Sequence, residues 1–246
     1  MRILSIDSSL GTQLLVCDAD PAGQAPDQAM RLTVLVSLDQ EDSRHHAESL
    51  GPMLSQALST PGVANQPLDA VVAATGPAPF TGLRAGLVTA RTVGRARGLR
   101  VYGVPSLDAV ARRALDELAQ AEDAEAASQA VVQVATDARR KEVYTARYRA
   151  KGADDVERLG EIGVMAPAEL AGVLEADAVA YVAGSGVGLY PELAEARTAL
   201  APVSGDALAQ VRLALVRLAQ GRELPTEPLY LRHADVQMPT ATKRHR

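Results

Sequence analysis

The sequence has 246 residues, of which 47% are hydrophobic and only 3% aromatic, and its formal net charge at pH 7 is −5. This length allows two lobes with cores of small aliphatic side chains, and the negative charge argues against a general binder of nucleic acid or membrane surfaces. The single cysteine, Cys17, excludes an internal disulfide framework and fits a reducing compartment. With no secretory pattern and no apolar run of bilayer length, we expect a soluble cytoplasmic protein without a membrane partner.

The first half of the chain predicts three strands followed by alternating helices and strands. Its elements are, in order, strands at 2–6, 13–17 and 31–37, a helix with the apolar stripe Leu50, Met53, Leu54, Ala57 and Leu58, a buried strand at 70–74, a helix at 81–97 and a strand at 100–104. Pro52 interrupts the apolar stripe, so that helix either starts or kinks there. Thr81 is the predicted N-cap of the helix at 81–97.

The second half repeats this plan. After an Ala-rich helical segment at 107–129, whose end at 122–125 reads as a solvated linker, we predict strands at 130–135, 142–148 and 156–163, a helix at 167–174, a strand at 178–183, a Gly-rich turn, a helix near Pro191 and a last helix at 206–220. Asp7 and Asp137 take matching places, each at the end of the first strand of its half.

Repeated halves of this kind are the plan of the actin-like, ribonuclease H-like (ASKHA) superfamily. By this analogy we predict an α/β protein with a duplicated actin-like two-lobe fold and mixed sheets. Residues 1–105 form the N-terminal lobe, completed by the helix at 206–220, and residues 106–205 form the second lobe. Residues 221–246 form a C-terminal segment and tail.

The helix at 81–97 carries a small residue at every fourth position, namely Gly82, Gly86, Ala90 and Gly94. This spacing places the four on one face of the helix. Because each helical glycine costs on the order of 1 kcal/mol relative to alanine, the ridge indicates close approach of another backbone. That backbone belongs either to the protein's own sheet, which the spacing alone favours, or to another chain.

Five residues are candidates for a vestigial nucleotide site, namely Asp7, Ser8, Asp137, Gly184 and Gly186. Carboxylates at the two aspartate positions could hold a metal–phosphate group, and glycines allow a backbone to approach phosphates. No glycine directly follows either aspartate, so Cβ atoms occupy the room that phosphate oxygens need. The Gly-rich turn is weak evidence by itself, and a plain strand–helix corner is the preferred interpretation.

Metal and nucleic-acid chemistry have little support in the residue pattern. His45 and His46 are adjacent and cannot share a helix face, and no Cys/His cluster has zinc spacing, so we expect no metal site. Seven arginines lie between Gly76 and Arg113 against the single acid Asp108. That patch fits either an acidic partner surface or RNA.

Several motifs, in order along nearly the whole chain, resemble the TsaB (YeaZ-like) family, partner subunits of the bacterial machinery that places threonylcarbamoyl on the adenosine next to the tRNA anticodon. They are Ile6-Asp7-Ser8-Ser9, Arg44-His45-His46-Ala47-Glu48-Ser49-Leu50, Gly76-Pro77 with Phe80-Thr81-Gly82-Leu83-Arg84 and Gly86-Leu87, Pro105-Ser106-Leu107-Asp108-Ala109, Asp137-Ala138-Arg139-Arg140 with Glu142-Val143-Tyr144, and Pro228-Leu229-Tyr230-Leu231-Arg232 with Ala234-Asp235.

The resemblance implies a subunit that is not itself an enzyme. The catalytic relative, TsaD, has a His-x-x-x-His metal motif where this chain has Ser106 and Val110, and neither residue is a useful ligand for a first-row metal. The implied partners are a TsaD-type catalytic subunit and a TsaE-type ATPase, with a homodimer when the chain is alone, tRNA contacted only indirectly, and no cofactor apart from a nucleotide at the partner interface.

The resemblance also implies that the helices at 47–58 and 81–97 pair with matching helices of the partner, which turns the small-residue ridge toward the docking interpretation. The implied partner-binding residues are His46, Leu50, Met53, Leu54, Thr81, Gly82, Leu83, Arg84, Gly86, Leu87 and Ala90.

Three other functions stay open at this point. The first is an ATP-hydrolysing or kinase-like enzyme in which Asp7 and Asp137 hold magnesium nucleotide. The second is a glycoprotease, against which the missing metal ligands weigh. The third is an RNA-binding module that uses the Arg-rich helix.

Overall fold

Each half of the chain folds into a five-stranded path of β-sheet with helices on its faces. The computed structural model describes residues 1–20, 29–40 and 46–231, apart from the side chains of residues 46 and 47. In the first half the elements are β1 (Arg2–Asp7), β2 (Thr12–Ala19), β3 (Leu32–Gln40), α1 (His46–Ser59), β4 (Ala70–Ala74), α2 (Phe80–Arg97) and β5 (Arg100–Val104).

The second half begins with α3 and ends with α7. Its elements are α3 (Ser106–Ala121), α4 (Ala124–Gln129), β6 (Val131–Asp137), β7 (Val143–Lys151), β8 (Asp155–Arg158), β9 (Gly163–Met165), α5 (Pro167–Ala176), β10 (Tyr181–Ala183), α6 (Ser185–Leu189), a 3₁₀ turn (Pro191–Leu193), β11 (Thr198–Ala199) and α7 (Ala207–Ala219).

The two sheets have the same topology. The strand order is β3-β2-β1-β4-β5 in the first sheet and, in the matching direction, β8-β7-β6-β10-β11 in the second, where β9 adds to β7. In the first sheet β1, β2 and β3 pair antiparallel, and β4 and β5 run parallel to β1. In the second sheet β6, β7 and β8 pair antiparallel, and β10 and β11 run parallel to β6. The first strands, β1 and β6, therefore occupy equivalent central positions, and so do Asp7 and Asp137 at their ends.

Successive side chains along each strand point to opposite faces of the sheet, so they pack into separate cores on the two faces. From β1, Ile3 joins a cluster with α3 and α7 between the sheets, whereas Leu4 and Ile6 join a second cluster with α1 and α2. A third cluster places Leu170 of α5 against the other face of the second sheet. The described residues thus stack as helices, sheet, helices, sheet, helices, although the lobe boundaries at 105/106 and 205/206 stay a prediction.

Some local expectations are wrong. Thr81 is not the N-cap of α2, because the helix begins at Phe80 and Pro79 precedes it without a side-chain cap. Pro52 does not start α1, which begins at His46. The segment at 122–125 is not a loose linker, because the Asp123 side chain accepts a hydrogen bond from the Ala126 N–H and caps the separate helix α4.

Helix α2 approaches β1 so closely that a serine hydroxyl enters its backbone. Ser8, directly after β1, donates its Oγ–H to the carbonyl of Gly82 at 2.7 Å, and the same oxygen accepts from the Gly86 N–H at 3.1 Å. A carbonyl and an N–H four residues apart are the usual pair of an α-helix, so the hydroxyl bridges one helical hydrogen bond. A Cβ at Gly86 would lie 2.2 Å from that oxygen.

The small-residue ridge therefore packs on the protein's own sheet, the alternative that the spacing alone favours, and a partner contact at these residues stays a prediction. Gly82, Gly86 and Gly94 are buried, Ala90 is 0% exposed, and a Cβ at Gly94 would meet Val101 of β5 at 2.4 Å. The helical spacing gave the correct face, and the close neighbour on that face is internal.

Two arginines of α7, one buried and one partly buried, connect that helix to the second sheet. Arg217, 3% exposed, donates from Nε to Asp155 at 2.8 Å and pairs with Asp108 at 2.9 Å. Arg212 pairs in the same way with Asp154 at 2.7 Å. Because a buried charge that loses its partner costs several kcal/mol, the carboxylates at the start of β8 hold α7 across the gap between the sheets.

The packing of α2 predicts a large effect of one methyl group. Gly86→Ala should lower the free energy of unfolding by about 2 kcal/mol or more, since the new Cβ displaces Ser8 from a filled core. The matched control is Gly172→Ala in α5, which meets nothing within 4 Å and should raise stability by about 0.5–1 kcal/mol. Urea unfolding midpoints measure both, and equal midpoints for the two variants would contradict this account of the ridge.

Candidate functional site

The carboxyl ends of β1 and β6 meet at a narrow cleft between the two sheets. Its lining comes from both halves and includes Ser9, Pro77, Ser106, Val110, Asp137, Ser185 and Gly205. The space open to water in the cleft is about 20 Å³. That volume suits a water molecule, whereas small-molecule sites usually enclose about 300–1,000 Å³. The cleft is therefore more than tenfold smaller than a usual small-molecule site.

Asp7 lies behind the cleft, enclosed by the chain's own groups. It is 3% exposed, accepts from the Ser9 N–H at 2.7 Å and from Nε2 of Gln210 at 2.5 Å, and leaves no space beside Gly205. Burial raises the pKa of Asp7, and the nearby carboxylate of Asp206 adds to the effect. A carboxyl held this way serves to fix α7 against β1.

Ser8, Gly184 and Gly186 also make close contacts within the fold. Both partners of the Ser8 hydroxyl belong to α2. A Cβ at Gly184 would lie 2.2 Å from the carbonyl oxygen of Ala135 in β6, and one at Gly186 would lie 2.8 Å from Val143 of β7. The preferred interpretation of the Gly-rich turn as a strand–helix corner agrees with this geometry, while a vestigial nucleotide site at these residues stays a prediction.

Asp137 repeats the turn of Asp7 in a more open setting. Its Oδ1 accepts from the Arg139 N–H at 2.8 Å, and its Oδ2 lies 3.1 Å from the Arg139 guanidinium. Arg139, Arg140 and Lys141 all have positive φ, between 56° and 62°, a conformation that disfavours side chains with a Cβ. Arg139 therefore neutralises the one predicted carboxylate that lines the cleft.

The positions aligned with the metal motif of the catalytic relative also line this cleft. Ser106 is 3% exposed, and its Oγ accepts from the Gly76 N–H at 3.1 Å. Val110 is 1% exposed. Across residues 1–20, 29–40 and 46–231, no group of three or more His, Cys, Asp or Glu side chains is arranged to hold a metal ion.

A second concavity, of about 710 Å³, lies beneath the C-terminal segment. Charged side chains of both signs line it, and some of them pair, as Arg217 does with Asp108 at 2.9 Å. A mixed lining of this kind selects neither anions nor cations, so its composition defines no ligand class.

The predicted partner-binding residues separate into buried and exposed sets. Leu50, Met53, Gly82, Leu83, Gly86, Leu87 and Ala90 are buried in the protein's own core, and Leu54 is partly buried there. Thr81 and Arg84 are exposed. His46 begins α1, and its side chain is outside the description, as are Arg44, His45, Arg232, Ala234 and Asp235. The buried residues shape the two helices and cannot form their outer surface.

The sequence reasoning missed a strap formed by residues 224–231, which runs across β5 and α2. Leu229 donates its N–H to the Thr75 carbonyl at 2.8 Å, and Gly103 of β5 donates to Leu224 at 3.0 Å. At the far end, Tyr230 lies 5.1 Å from the ring of Phe80. The sequence features that could have predicted this contact are the single phenylalanine, Phe80, and the tyrosine of the C-terminal motif, Tyr230.

The topology and the enclosed cleft define the class: the chain has a duplicated actin-like (ASKHA, ribonuclease H-like) α/β fold with mixed sheets, as predicted. Residues 39–218 match the family model described as TsaD, tRNA N6-adenosine threonylcarbamoyltransferase. Because this match spans more than half of the chain, the protein belongs to that family.

A solved structure from Pseudomonas aeruginosa shares the fold of this chain. YeaZ from Pseudomonas aeruginosa superimposes with a TM-score of 0.71 at 26% sequence identity, covering 94% of this chain and 99% of that one. The predicted likeness to the TsaB (YeaZ-like) family is confirmed by this neighbour, with the fold in common along almost the whole length.

Curated relatives match over shorter segments. An uncharacterized protein of Mycobacterium bovis is 45% identical over 107 residues, which are 44% of this chain and 44% of the relative. A tRNA N6-adenosine threonylcarbamoyltransferase of Rhizobium leguminosarum is 32% identical over 132 residues, which are 48% of this chain and 36% of the relative. The matches thus span less than half the length of these relatives.

Within the described ranges, the helices are too short or too polar to traverse a lipid bilayer. The cytoplasmic location stays a prediction.

The burial of Asp7 predicts a pH signature. Because an acid with a raised folded pKa binds more protons when folded, its contribution to stability decreases as pH rises above the ordinary Asp value of about 3.9. Asp7→Asn removes this decrease, so relative to the parent the variant should gain stability from acid to neutral pH in chemical unfolding. Asp18→Asn is the control of opposite sign, because the hydrogen bond from Arg2 lowers the pKa of Asp18. A parallel pH course for parent and Asp7→Asn would contradict the assignment.

Proposed function

We propose that this chain is a non-catalytic partner subunit that binds and activates a TsaD-type catalytic subunit for threonylcarbamoylation of the tRNA adenosine next to the anticodon. The observation that carries the proposal is the cleft between the sheets. It leaves only about 20 Å³, and Ser106 and Val110 line it, the two residues that the resemblance sets in place of the metal-binding histidines of the catalytic relative. A family member with a narrow cleft and apolar or hydroxyl groups at those places is suited to support a catalytic neighbour.

We further propose that the exposed flanks of α1 and α2 form the surface offered to that neighbour. We call it the docking face, and it consists of the exposed side of α1, with Gly51, Ser55 and Ser59, and the adjoining flank of α2, with Ala85, Thr89 and Thr92. These six residues are small, so a helix of another chain that lies along them can approach the two helix backbones closely.

The hydroxyl groups of the two threonines of the docking face are bonded within α2. Thr89 donates its hydroxyl to the Ala85 carbonyl at 2.8 Å, and Thr92 donates to Val88 at 2.7 Å. Since each hydroxyl is satisfied within α2, burial against a partner leaves no unpaired polar group and avoids the desolvation cost of about 1–3 kcal/mol. Val88, 61% exposed, supplies apolar area next to them.

Buried residues of the same helices act indirectly. Leu50 and Met53 seat α1 on the sheet, and Leu83 and Leu87 seat α2. They set the relative position of the two exposed flanks, which a matching pair of helices would have to meet. Self-association of the isolated chain, a TsaE-type ATPase partner and a nucleotide at the partner interface remain predictions from the resemblance.

The nucleotide-hydrolysing alternative has no observation in its favour, because the cleft leaves about 20 Å³. Its test is ATP turnover by the purified chain that disappears in Asp7→Ala. The glycoprotease alternative would need peptide cleavage that a chelator abolishes.

The docking face has a variant that separates binding from folding. A side chain at Gly51 would meet nothing within 4 Å, and replacing a helical glycine stabilises the helix by about 0.5–1 kcal/mol. Gly51→Arg should therefore leave the monomer folded and slightly more stable. Because the long charged side chain stands in the docking face, affinity for the catalytic subunit should fall at least tenfold, or about 1.4 kcal/mol.

The matched control is Gly172→Arg in α5, which is also exposed, helical and without neighbours within 4 Å. Both variants add the same charge, and only the one on α1 should weaken the complex in titration calorimetry or co-elution with the purified TsaD-type subunit. Full binding by Gly51→Arg would reject the docking face. Threonylcarbamoylation of tRNA by the isolated chain would reject the non-catalytic role.

A further inference from the structure

The flank of α2 that faces away from the docking face is basic. At 100° per residue, Arg84, Arg91 and Arg95 fall within about 40° of one another around the helix, and all three are exposed. The row spans about 16 Å along the axis, at 1.5 Å per residue. We call these three residues, with the rings of Phe80 and Tyr230 at their N-terminal end, the arginine flank.

The charge on this flank is not balanced by carboxylates. Helix α2 contains no acidic residue, and within residues 1–20, 29–40 and 46–231 none of the three arginines forms an ion pair with an acid. The arginines of α7 behave differently, since Arg212 and Arg217 each contact two aspartates. In a chain with a net charge of −5, this row is a local positive field suited to a polyanion.

The rings distinguish the kind of polyanion. The Arg84 guanidinium lies 4.0 Å above the centroid of the Phe80 ring and donates from Nε to the Tyr230 hydroxyl at 2.9 Å. Phe80 and Tyr230 remain 37% and 41% exposed. An acidic protein surface requires only the charges, whereas the bases of a single-stranded nucleic acid stack on exposed aromatic rings and arginine planes next to a basic track.

The strap orders two of the three arginines, Arg84 and Arg91. Arg91 donates from Nε to Thr226 Oγ1 at 3.1 Å and from Nη2 to the Thr226 carbonyl at 2.7 Å. Tyr230 restrains Arg84 in the same way. Because these side chains are already ordered, binding costs less conformational entropy than it does for free surface arginines.

We propose that the arginine flank is a binding surface for single-stranded or loop RNA, with Arg91 and Arg95 on phosphates and the Phe80–Tyr230 pair under a base. The resemblance implied that tRNA is contacted only through the partner, and this surface instead supports direct contact. The inference stands on charge and ring geometry, not on the docking proposal.

The test uses the full chain and two fluorescent probes, a single-stranded RNA 12-mer and an unmodified tRNA transcript. Anisotropy titrations at several salt concentrations give the slope of log K against log[salt], which for single strands is about −0.7 per phosphate contact. Arg91→Gln combined with Arg95→Gln should reduce the slope by about 1.4. Phe80→Leu should weaken binding roughly tenfold while the slope is retained.

The matched control is Arg149→Gln combined with Lys151→Gln on β7, which removes two exposed positive charges from the other sheet and should leave the slope unchanged. Circular dichroism and urea midpoints establish that every variant is folded. Lack of saturable binding to either RNA, or equal slopes for the two double variants, overturns the proposal. Displacement of RNA by polyglutamate together with indifference to Phe80→Leu also overturns it, in favour of an acidic protein ligand.

The same variants separate the two proposals. Arg91→Gln combined with Arg95→Gln should still co-elute with the TsaD-type subunit, since both residues lie away from the docking face, whereas Gly51→Arg should still bind RNA. Loss of both properties in either variant would show that one surface performs both tasks and would overturn the assignment of RNA to a separate flank.

Discussion

The contact on which the N-terminal half depends is the insertion of the Ser8 hydroxyl between the Gly82 carbonyl and the Gly86 N–H. It joins the end of the first strand to the backbone of α2, and only a residue without a Cβ leaves room for it. This contact fixes the rotation of α2 about its own axis. The rotation in turn decides that the small-residue ridge faces inward, while small threonine and alanine side chains and the arginines form two different outer flanks.

Glycines near the ends of β1 and β6 allow groups of the chain itself to occupy the space beside the cleft. In actin-like folds such glycines can allow phosphates near the backbone, yet here Gly86 admits a serine, Gly184 admits the Ala135 carbonyl, and Gly205 admits the Asp7 carboxyl. The duplicated halves thus keep the aspartates and their turns but use the freed space for internal contacts. The glycines at the cleft thus stabilise the fold itself.

Periodicity in the sequence was enough to predict nearly every strand and helix, the duplication and the equivalence of Asp7 with Asp137. It could not tell which backbone faces the ridge on α2, because helical spacing defines a face and not its neighbour. The enclosure of Asp7 depends on Gln210, 203 residues away, and local patterns carry no such information. The strap was missed for the same reason, since its extended residues have no period and take their order from Thr75, Gly103 and Arg91.

Arginine has two separate uses in this molecule, and the position of carboxylates distinguishes them. Arg217 is buried and Arg212 is partly buried, and the cost of desolvating each is offset by aspartates at close range. Along α2 the arginines are restrained by uncharged groups, a tyrosine hydroxyl and a threonine carbonyl, which order the side chains and leave the charge in place. Net charge sums over both sets and obscures the second, so a negatively charged chain can still carry a surface that attracts a polyanion.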